Sequence, residues 1–146
     1  NNNRYESVIH KLKSTLWVLR DKKVAVWGLS FKPETDDVRE APSIKIIKAM
    51  IQEGMIVRLH DPEAMEQFKE LISPEFGLVE YCDSPEDACR EADCVLLLTE
   101  WKHYLDVDLE AVKKNMSNPL LIDGRNMFDP LKVSQSGFRY LGMGRS

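Results

Sequence analysis

The chain has 146 residues, 43% of them hydrophobic and 30% charged, which is the composition of one ordinary globular domain. Its net charge of −4 is spread over interspersed acidic and basic residues, which excludes a basic nucleic-acid-binding surface. No apolar run approaches the ~20 residues that span a bilayer, so a membrane-spanning helix is also excluded. The sequence shows no secretory signal, and we expect a cytoplasmic protein.

The N-terminal segment is predicted to be an amphipathic helix. Its apolar residues recur at helical spacing along one face: Val8, Leu12, Leu16 and Leu19. The pattern breaks at Asp21 and Lys22. We therefore divide the chain into residues 1–21, a helix that leads into the domain, and residues 22–146, the domain itself.

Residues 28–42, GLSFKPETDDVREAP, follow an apolar run that is predicted to be a strand, Lys23–Trp27. A helix is predicted after them, with Pro42 at its first position and Gly54 at its end. In an open parallel α/β sheet, ligands bind beyond the carboxyl ends of the strands, and the first strand-to-helix connection forms part of that crevice. The stretch is therefore predicted to be a ligand-binding loop, and Gly28 is expected where the backbone passes close to the ligand or to a neighbouring strand.

The composition of this loop indicates which kind of ligand it suits. It lacks the G-x-G-x-x-G fingerprint of a dinucleotide site, since Gly28 is followed by no other glycine before Gly54. It offers two cations, Lys32 and Arg39, and the ring of Phe31. These side chains suit a phosphate-bearing ligand with a flat or sugar part. An ordinary charged surface loop is the alternative.

Asp61 follows the second predicted strand, at residues 55–60. In a dinucleotide-binding domain an acid at this position holds the adenosine ribose. Because Pro62 follows directly, Asp61 can also cap the next predicted helix, at residues 63–72. We favour the capping interpretation.

The rest of the chain continues to alternate between strands and helices. Strands are predicted at 78–81, 93–99, 120–122 and 138–141, and helices at 85–91, around 109–116 and at 130–135. Ser84 and either Asp106 or Asp108 are the expected caps of the first two of these helices. The alternation predicts an α/β fold, a three-layer doubly wound Rossmann-like sheet of five or six mostly parallel strands, preceded by the N-terminal helix.

The three cysteines, Cys82, Cys89 and Cys94, match neither a disulfide framework nor a C-x-x-C metal or redox site. Cys94 lies within an apolar run, where a small buried thiol is the usual explanation. We expect all three to be reduced and none to be catalytic. The sequence predicts no metal site.

Three sequence blocks carry a resemblance to a known family. The stretch GLSFKPETDDVREAP resembles the signature that opens the C-terminal nucleotide-sugar-binding domain of the UDP-glucose/GDP-mannose dehydrogenase family, and most of all its UDP-glucose 6-dehydrogenase branch. The Thr-Glu-Trp block at 99–101 and the Asp-Gly-Arg-Asn block at 123–126 resemble two further blocks of that family, in the expected order. The resemblance covers residues 23–142, and residues 1–20 are similar to the end of the long interdomain helix.

The resemblance implies an NAD-dependent enzyme that converts UDP-glucose to UDP-glucuronate in two hydride transfers. The N-terminal NAD-binding domain and the central domain of that enzyme, with its catalytic cysteine, would be partners of this chain. The chain by itself would then be inactive, and the full-length protein is expected to be a homo-oligomer.

The resemblance also implies which residues bind ligands. Phe31 and Lys32 are similar to loop residues that contact the UDP-sugar, and Arg125 is similar to an arginine that contacts it from the Asp-Gly-Arg-Asn block. Arg39 is similar to an arginine that reaches NAD across the interdomain cleft. Trp101 is interpreted as capping the core, with direct ligand contact as the alternative.

Three other functions stay open at this point. Relatives in the family oxidise GDP-mannose or N-acetylated UDP-sugars, and the choice of base and sugar depends on the shape of the pocket. A non-catalytic sugar-nucleotide-binding module is compatible with the same residues. An NAD-binding domain of some other dehydrogenase is disfavoured by the missing glycine fingerprint.

Overall fold

The structure is a computed structural model that describes residues 2–30, 42–72 and 78–143. In these parts of the chain the strands are β1 (Lys23–Trp27), β2 (Ile56–His60), β3 (Val79–Tyr81), β4 (Cys94–Leu97), β5 (Leu120–Asp123) and β6 (Arg139–Gly142). The helices are α1 (Asn2–Leu16), α2 (Pro42–Gln52), α3 (Met65–Leu71), α4 (Pro85–Ala88), α5 (Leu109–Lys113) and α6 (Pro130–Gln135). A 3-10 helix, Lys102–Asp106, follows β4.

The six strands form one sheet in the order β3-β2-β1-β4-β5-β6. All five pairings between these strands are parallel. The chain moves outward from β1 in one direction and then outward from β4 in the other, which confirms the doubly wound, Rossmann-like fold. The neighbouring strands β1 and β4 mark the switch point, where such folds form their ligand crevice.

The sheet is covered on both faces, because alternate side chains of each strand point to opposite sides. Val24 and Val26 of β1 belong to a core that includes residues of α1, α2 and α3. Ala25 and Trp27 belong to a second core that includes residues of α4, α5, α6 and the 3-10 helix. The nearly continuous apolar sequences of β1 and β4 are what a parallel strand needs when both faces are buried, and the predicted three layers are confirmed.

The N-terminal helix packs on the domain but is shorter than its apolar spacing suggests. Val8 and Leu12 are fully buried in the first core. The helix α1 ends at Leu16, and Trp17 adopts a left-handed backbone conformation, φ +67°, that a helix cannot continue through. Leu19 is also buried, although it lies beyond the helix. None of the described helices has the length and apolar character needed to cross a membrane.

Helix α2 begins and ends where the sequence predicts. Pro42 is its first residue, and Gly54 follows its last turn with φ +86°. The N–H of Gly54 donates to the Ile51 carbonyl, and the N–H of Met55 donates to the Met50 carbonyl. These two bonds form a Schellman motif, which satisfies carbonyls that the helix itself leaves free.

The second half of the chain differs from the prediction in detail. Ser84 and Asp108 cap α4 and α5 by accepting hydrogen bonds from the N–H groups of Asp87 and Ala111. Asp108, not Asp106, is therefore the cap of α5. Both helices are shorter than predicted, and the sequence does not predict the 3-10 helix before α5.

The cysteines are free and buried. Burial raises the pKa of the thiols of Cys82, Cys89 and Cys94 above the ordinary value of 9.0. Because the thiolate is the nucleophile, these protonated thiols are poorly suited to covalent catalysis.

Candidate functional site

The candidate site lies at the carboxyl edge of the sheet, where the segments after β1 and β4 meet. Gly28 has φ +100°, and a Cβ added to it would lie 2.4 Å from the Cβ of Thr99. The Thr99 hydroxyl donates a hydrogen bond of 2.7 Å to the carbonyl of Ser30. These contacts hold the start of the predicted ligand loop against the end of β4. The prediction that the Gly28 backbone passes close to a neighbouring strand is confirmed.

Asp61, the residue after β2, is 1% exposed, and its carboxylate accepts hydrogen bonds from four backbone N–H groups. Its Oδ2 atom accepts from Leu29 at 2.7 Å and Ser30 at 3.2 Å. Its Oδ1 atom accepts from Glu63 and Ala64, both at 2.8 Å. The second pair caps the turn at residues 62–64, as the capping interpretation of Asp61 predicts. The helix itself begins later than predicted, at Met65, with Ala64 as its N-cap and no side-chain cap. The first pair ties the loop after β1 to β2.

These contacts do not fit the usual Rossmann site for NAD. Both oxygens of Asp61 are already occupied by backbone donors, so this acid is not available to a ribose. The space beside Gly28 is filled by Thr99, and no further glycine lets the backbone approach a pyrophosphate. The described residues of this domain therefore supply no dinucleotide cradle.

Asp123, the last residue of β5, fixes the backbone of the Asp-Gly-Arg-Asn block through hydrogen bonds. It is fully buried, and its Oδ2 atom accepts from the Phe128 N–H at 2.8 Å and the Tyr140 hydroxyl at 3.0 Å. Its Oδ1 atom accepts from the N–H of Arg125 at 3.1 Å. The turn after β5 is thereby anchored to β6, and the backbone of Arg125 is held at the carboxyl edge.

Gly124 and Asn126 of the same block also serve the backbone. The Gly124 N–H donates to the Leu97 carbonyl at 2.9 Å, and a Cβ on Gly124 would lie 2.6 Å from that oxygen. The Asn126 side chain exchanges two hydrogen bonds with the Met143 backbone, at 2.9 and 2.8 Å. Three of the four residues therefore build the turn, and Arg125 is the one whose side chain can reach a ligand.

Arg125 follows β5 at the carboxyl edge of the sheet, and its side chain is paired with an acid. Its Nη2 atom is 2.6 Å from Oε1 of Glu100. The side chains are partly exposed, 23% for Arg125 and 38% for Glu100. The sequence predicts both residues at this edge but does not identify the pair, because the ion pair joins two loops that are distant in the chain.

Three of the four predicted ligand-contacting residues, Phe31, Lys32 and Arg39, lie outside the described residues. The described backbone stops at Ser30, which lies next to Thr99 in the crevice, and resumes at Pro42. The predicted approach of Lys32 to Arg125 stays a prediction.

Trp101 packs in the second core and is 7% exposed, which agrees with the core-capping interpretation. Its indole N–H has no acceptor among the residues that the structure describes. The 3-10 helix after it is anchored by Tyr104, whose ring stacks on Trp27 with centroids 5.1 Å apart. This anchor holds the Thr-Glu-Trp block at the end of β4.

His60 is a buried residue of this edge that the sequence does not single out. The Tyr104 hydroxyl donates to the His60 carbonyl at 3.1 Å and lies 3.0 Å from His60 Nδ1, which is thus placed to donate to it. Burial, assisted by repulsion from His103, lowers the pKa of His60 from 6.5 to about 4. His60 is therefore neutral at physiological pH and adds no charge to the crevice.

A recess of about 530 Å³ lies between the 3-10 helix, α5 and α6. Its lining includes three acids, Asp108, Glu110 and Asp129, against one cation, Lys132. This charge disfavours a phosphate-bearing ligand. Neither Thr99 nor Arg125 lines it, so we place the candidate site at the crevice and not in this recess.

Known proteins that match this chain in sequence or in fold are much longer. The UDP-glucose 6-dehydrogenase of Pseudomonas aeruginosa is 41% identical over 128 residues, which are 85% of this chain and 28% of that protein. A UDP-glucose dehydrogenase structure from Pyrobaculum islandicum superposes with a TM-score of 0.80 at 28% identity, over 97% of this chain and 30% of that one. An NDP-N-acetyl-D-galactosaminuronic acid dehydrogenase structure from Methanosarcina mazei gives a TM-score of 0.78 at 29% identity, over 99% and 29%.

The chain thus spans less than a third of the length of these relatives. Residues 25–130 match the UDP binding domain of the UDP-glucose/GDP-mannose dehydrogenase family. That range runs from β1 to the start of α6 and contains all three sequence blocks. The chain belongs to the UDP-glucose/GDP-mannose dehydrogenase family and corresponds to its UDP-binding domain.

Proposed function

We propose that this chain is the UDP-sugar-binding domain of an NAD-dependent UDP-glucose 6-dehydrogenase, which oxidises UDP-glucose to UDP-glucuronate. The observation that carries the proposal is the position of Arg125. Its guanidinium lies at the carboxyl edge of the sheet, beside the switch point, on a turn that is fixed by Asp123. A guanidinium there can bind two oxygens of a diphosphate at once. The identity to UDP-glucose 6-dehydrogenases supports the reaction.

Each residue that the sequence predicts to contact a ligand has a role in this function. Arg125 and Lys32 bind the diphosphate, and Phe31 lines the wall beside the sugar or the base. Arg39 contacts NAD, which is held mainly by the N-terminal domain of the whole enzyme. The described residues of this domain supply no dinucleotide cradle, which supports that division of labour, because the chemistry then takes place in a cleft between two domains.

The setting of the domain follows from the same proposal. Its partners are the N-terminal NAD-binding domain and the central domain, which carries the catalytic cysteine, and the whole protein is a homo-oligomer. We place the enzyme in the cytoplasm, where its three free, buried cysteines would stay reduced.

Replacing Arg125 by lysine should weaken UDP-glucose binding to the whole protein by about 1–3 kcal/mol. The charge is kept, but an ammonium group cannot bind two oxygens in one plane. Calorimetric titration with UDP-glucose, without NAD so that no turnover occurs, measures the effect. The matched control is Arg139→Lys on β6, an exposed arginine, which should bind like the wild type.

Lys32→Ala tests whether the same diphosphate is bound by the ligand loop. It should cost a similar amount, and a double-mutant cycle with Arg125→Lys should show coupling, since both cations would act on one ligand. Independent surface charges would instead give near-zero coupling. If all variants bind UDP-glucose with the affinity of the wild type, the loop is an ordinary charged surface loop and does not bind the diphosphate.

Arg39→Ala should raise the KM for NAD more than the KM for UDP-glucose in the whole enzyme. Arg39 lies later in the loop than Lys32 and follows two acids, Asp36 and Asp37, and the resemblance to the family assigns it to NAD and not to the sugar nucleotide. Steady-state kinetics with each substrate varied in turn measure the two constants. The opposite ordering would show that the loop's cations are assigned to the wrong ligands.

Two alternative functions can be distinguished from the proposed one: a dehydrogenase of a different nucleotide sugar, by the ligand that it binds, and a non-catalytic binding module, by the absence of turnover. The Methanosarcina mazei relative, named as a dehydrogenase of an N-acetylated sugar nucleotide, fits the fold almost as well as the UDP-glucose enzyme does. Titrating UDP-glucose, a UDP-N-acetylhexosamine and GDP-mannose into the whole protein identifies the sugar and the base. A non-catalytic module would bind one of them but produce no NADH with NAD.

A further inference from the structure

Glu100 is the acid that contacts Arg125, and its backbone is fixed on both sides. Thr99 before it is fully buried and bonded to Ser30. Trp101 after it is buried in the second core, and its N–H donates to the Thr99 carbonyl at 2.9 Å. The carboxylate of Glu100 therefore extends from a rigid segment at the end of β4 towards the turn after β5.

The backbone of Arg125 is equally fixed, by the carboxylate of Asp123. The ion pair between Glu100 and Arg125 thus joins two rigid segments through side chains that are still partly exposed. An ion pair with this exposure contributes little to folding stability, because water screens the attraction. Its main physical effect is to restrict the positions that the guanidinium can occupy.

The pair also leaves most of the guanidinium's donors for another partner. A guanidinium has five N–H donors in a planar fork. In the described residues, Glu100 contacts it through one atom, Nη2, at 2.6 Å. A second anion can therefore bind the remaining donors without displacing the carboxylate.

We propose that Glu100 is a positioning residue for nucleotide-sugar binding: it holds the Arg125 guanidinium at the crevice edge so that its other N–H donors face the diphosphate. The inference rests on the proposed function and adds to it the residue that orients the predicted cation. The carboxylate also repels a diphosphate, but this repulsion is screened at a partly exposed site. The gain is that a long, flexible side chain is already ordered before the ligand arrives.

The test compares UDP with uridine, which carries no phosphate, as ligands of the whole protein. Glu100→Gln keeps the size of the side chain but removes the charge that holds the guanidinium. It should weaken UDP binding about fivefold to tenfold and leave uridine binding unchanged. Glu100→Asp keeps the charge and should recover part of the UDP affinity. The control is Glu70→Gln, at an exposed acid of α3. It also removes one negative charge, but on a different element from the site, and this variant should bind both ligands like the wild type.

The Arg125→Ala background separates positioning from a general structural role. There, Glu100→Gln should have no further effect on UDP binding, because the guanidinium that it orients is gone. Equal or tighter UDP binding by Glu100→Gln alone would overturn the inference, since Glu100 would then act as a competitor of the ligand. A wild-type protein that binds neither UDP nor UDP-glucose would instead overturn the proposed function itself, and this inference with it.

Discussion

Replacing Gly28 by valine should destabilise the chain by about 3–4 kcal/mol, a large share of the stability of an ordinary domain. Two costs add at this position. The backbone has φ +100°, which L side chains rarely adopt, and an added Cβ would lie 2.4 Å from the Cβ of Thr99 and 2.5 Å from its nitrogen. The backbone nitrogen cannot move without disturbing the end of β4. Urea denaturation of the 146-residue chain, followed by circular dichroism, measures the change.

Alanine at two glycines separates the contribution of close packing from that of the backbone angle. Gly54 also has a positive φ, +86°, but a Cβ there would meet Arg20 atoms at 3.3 Å and beyond. Gly54→Ala should therefore cost only about 1–2 kcal/mol, from the backbone term. Gly28→Ala should cost clearly more. If the two variants unfold at the same urea concentration, the close approach of Gly28 to Thr99 does not exist in solution.

Replacing Asp61 by asparagine should destabilise the chain by about 2–4 kcal/mol. The carboxylate accepts four backbone hydrogen bonds, two on each oxygen, and is 1% exposed. Asparagine has one carbonyl oxygen and one NH₂ group, so in either orientation its NH₂ faces two backbone donors. Urea denaturation of the chain measures this loss as well.

The matched control for Asp61 is Asp129, an exposed acid that caps α6 by accepting from the Leu131 N–H at 3.0 Å. Asparagine is as good a cap as aspartate at an exposed helix start, so Asp129→Asn should be nearly neutral. Wild-type stability of Asp61→Asn would mean that the carboxylate is not satisfied by these four donors. The ribose-binding interpretation of Asp61 would then regain its basis.

The sequence predicts the centre of the sheet well because β1, β4 and β5 are buried on both faces. The run from Cys94 to Leu97 is continuous and apolar, which is typical of a central parallel strand. Pro130 predicts the start of α6, and Gly54 predicts the end of α2; the structure confirms both. Such residues act locally, through the backbone angle or the missing donor, so they can be interpreted without the fold.

Elements that depend on distant contacts are not predictable in this way. Leu19 fits the helical spacing of α1, yet Trp17 ends the helix and Leu19 is buried from a turn. The 3-10 helix has no apolar period that would predict it. It is held in place by Tyr104, whose ring stacks on Trp27. Its existence follows from a tertiary contact that no local pattern records.

The candidate site shows the same division. Parallel strands end at one edge, so the sequence alone brings Thr99 and Arg125 to the crevice. It does not reveal that Glu100 contacts the Arg125 guanidinium. Whether side chains of two different loops meet depends on how far each loop extends beyond the sheet, which the sequence does not show. That Asp61 caps the turn after β2, by contrast, could be predicted from the proline that follows it.

A crystal structure of the whole protein with UDP-glucose bound tests the central claim most directly. The proposed function predicts the diphosphate beyond the carboxyl ends of β1 and β4, within hydrogen-bond distance of the Arg125 guanidinium, with Glu100 still paired to it. A nucleotide bound in the acidic recess beside α5 and α6, or anywhere out of reach of Arg125, would contradict the account.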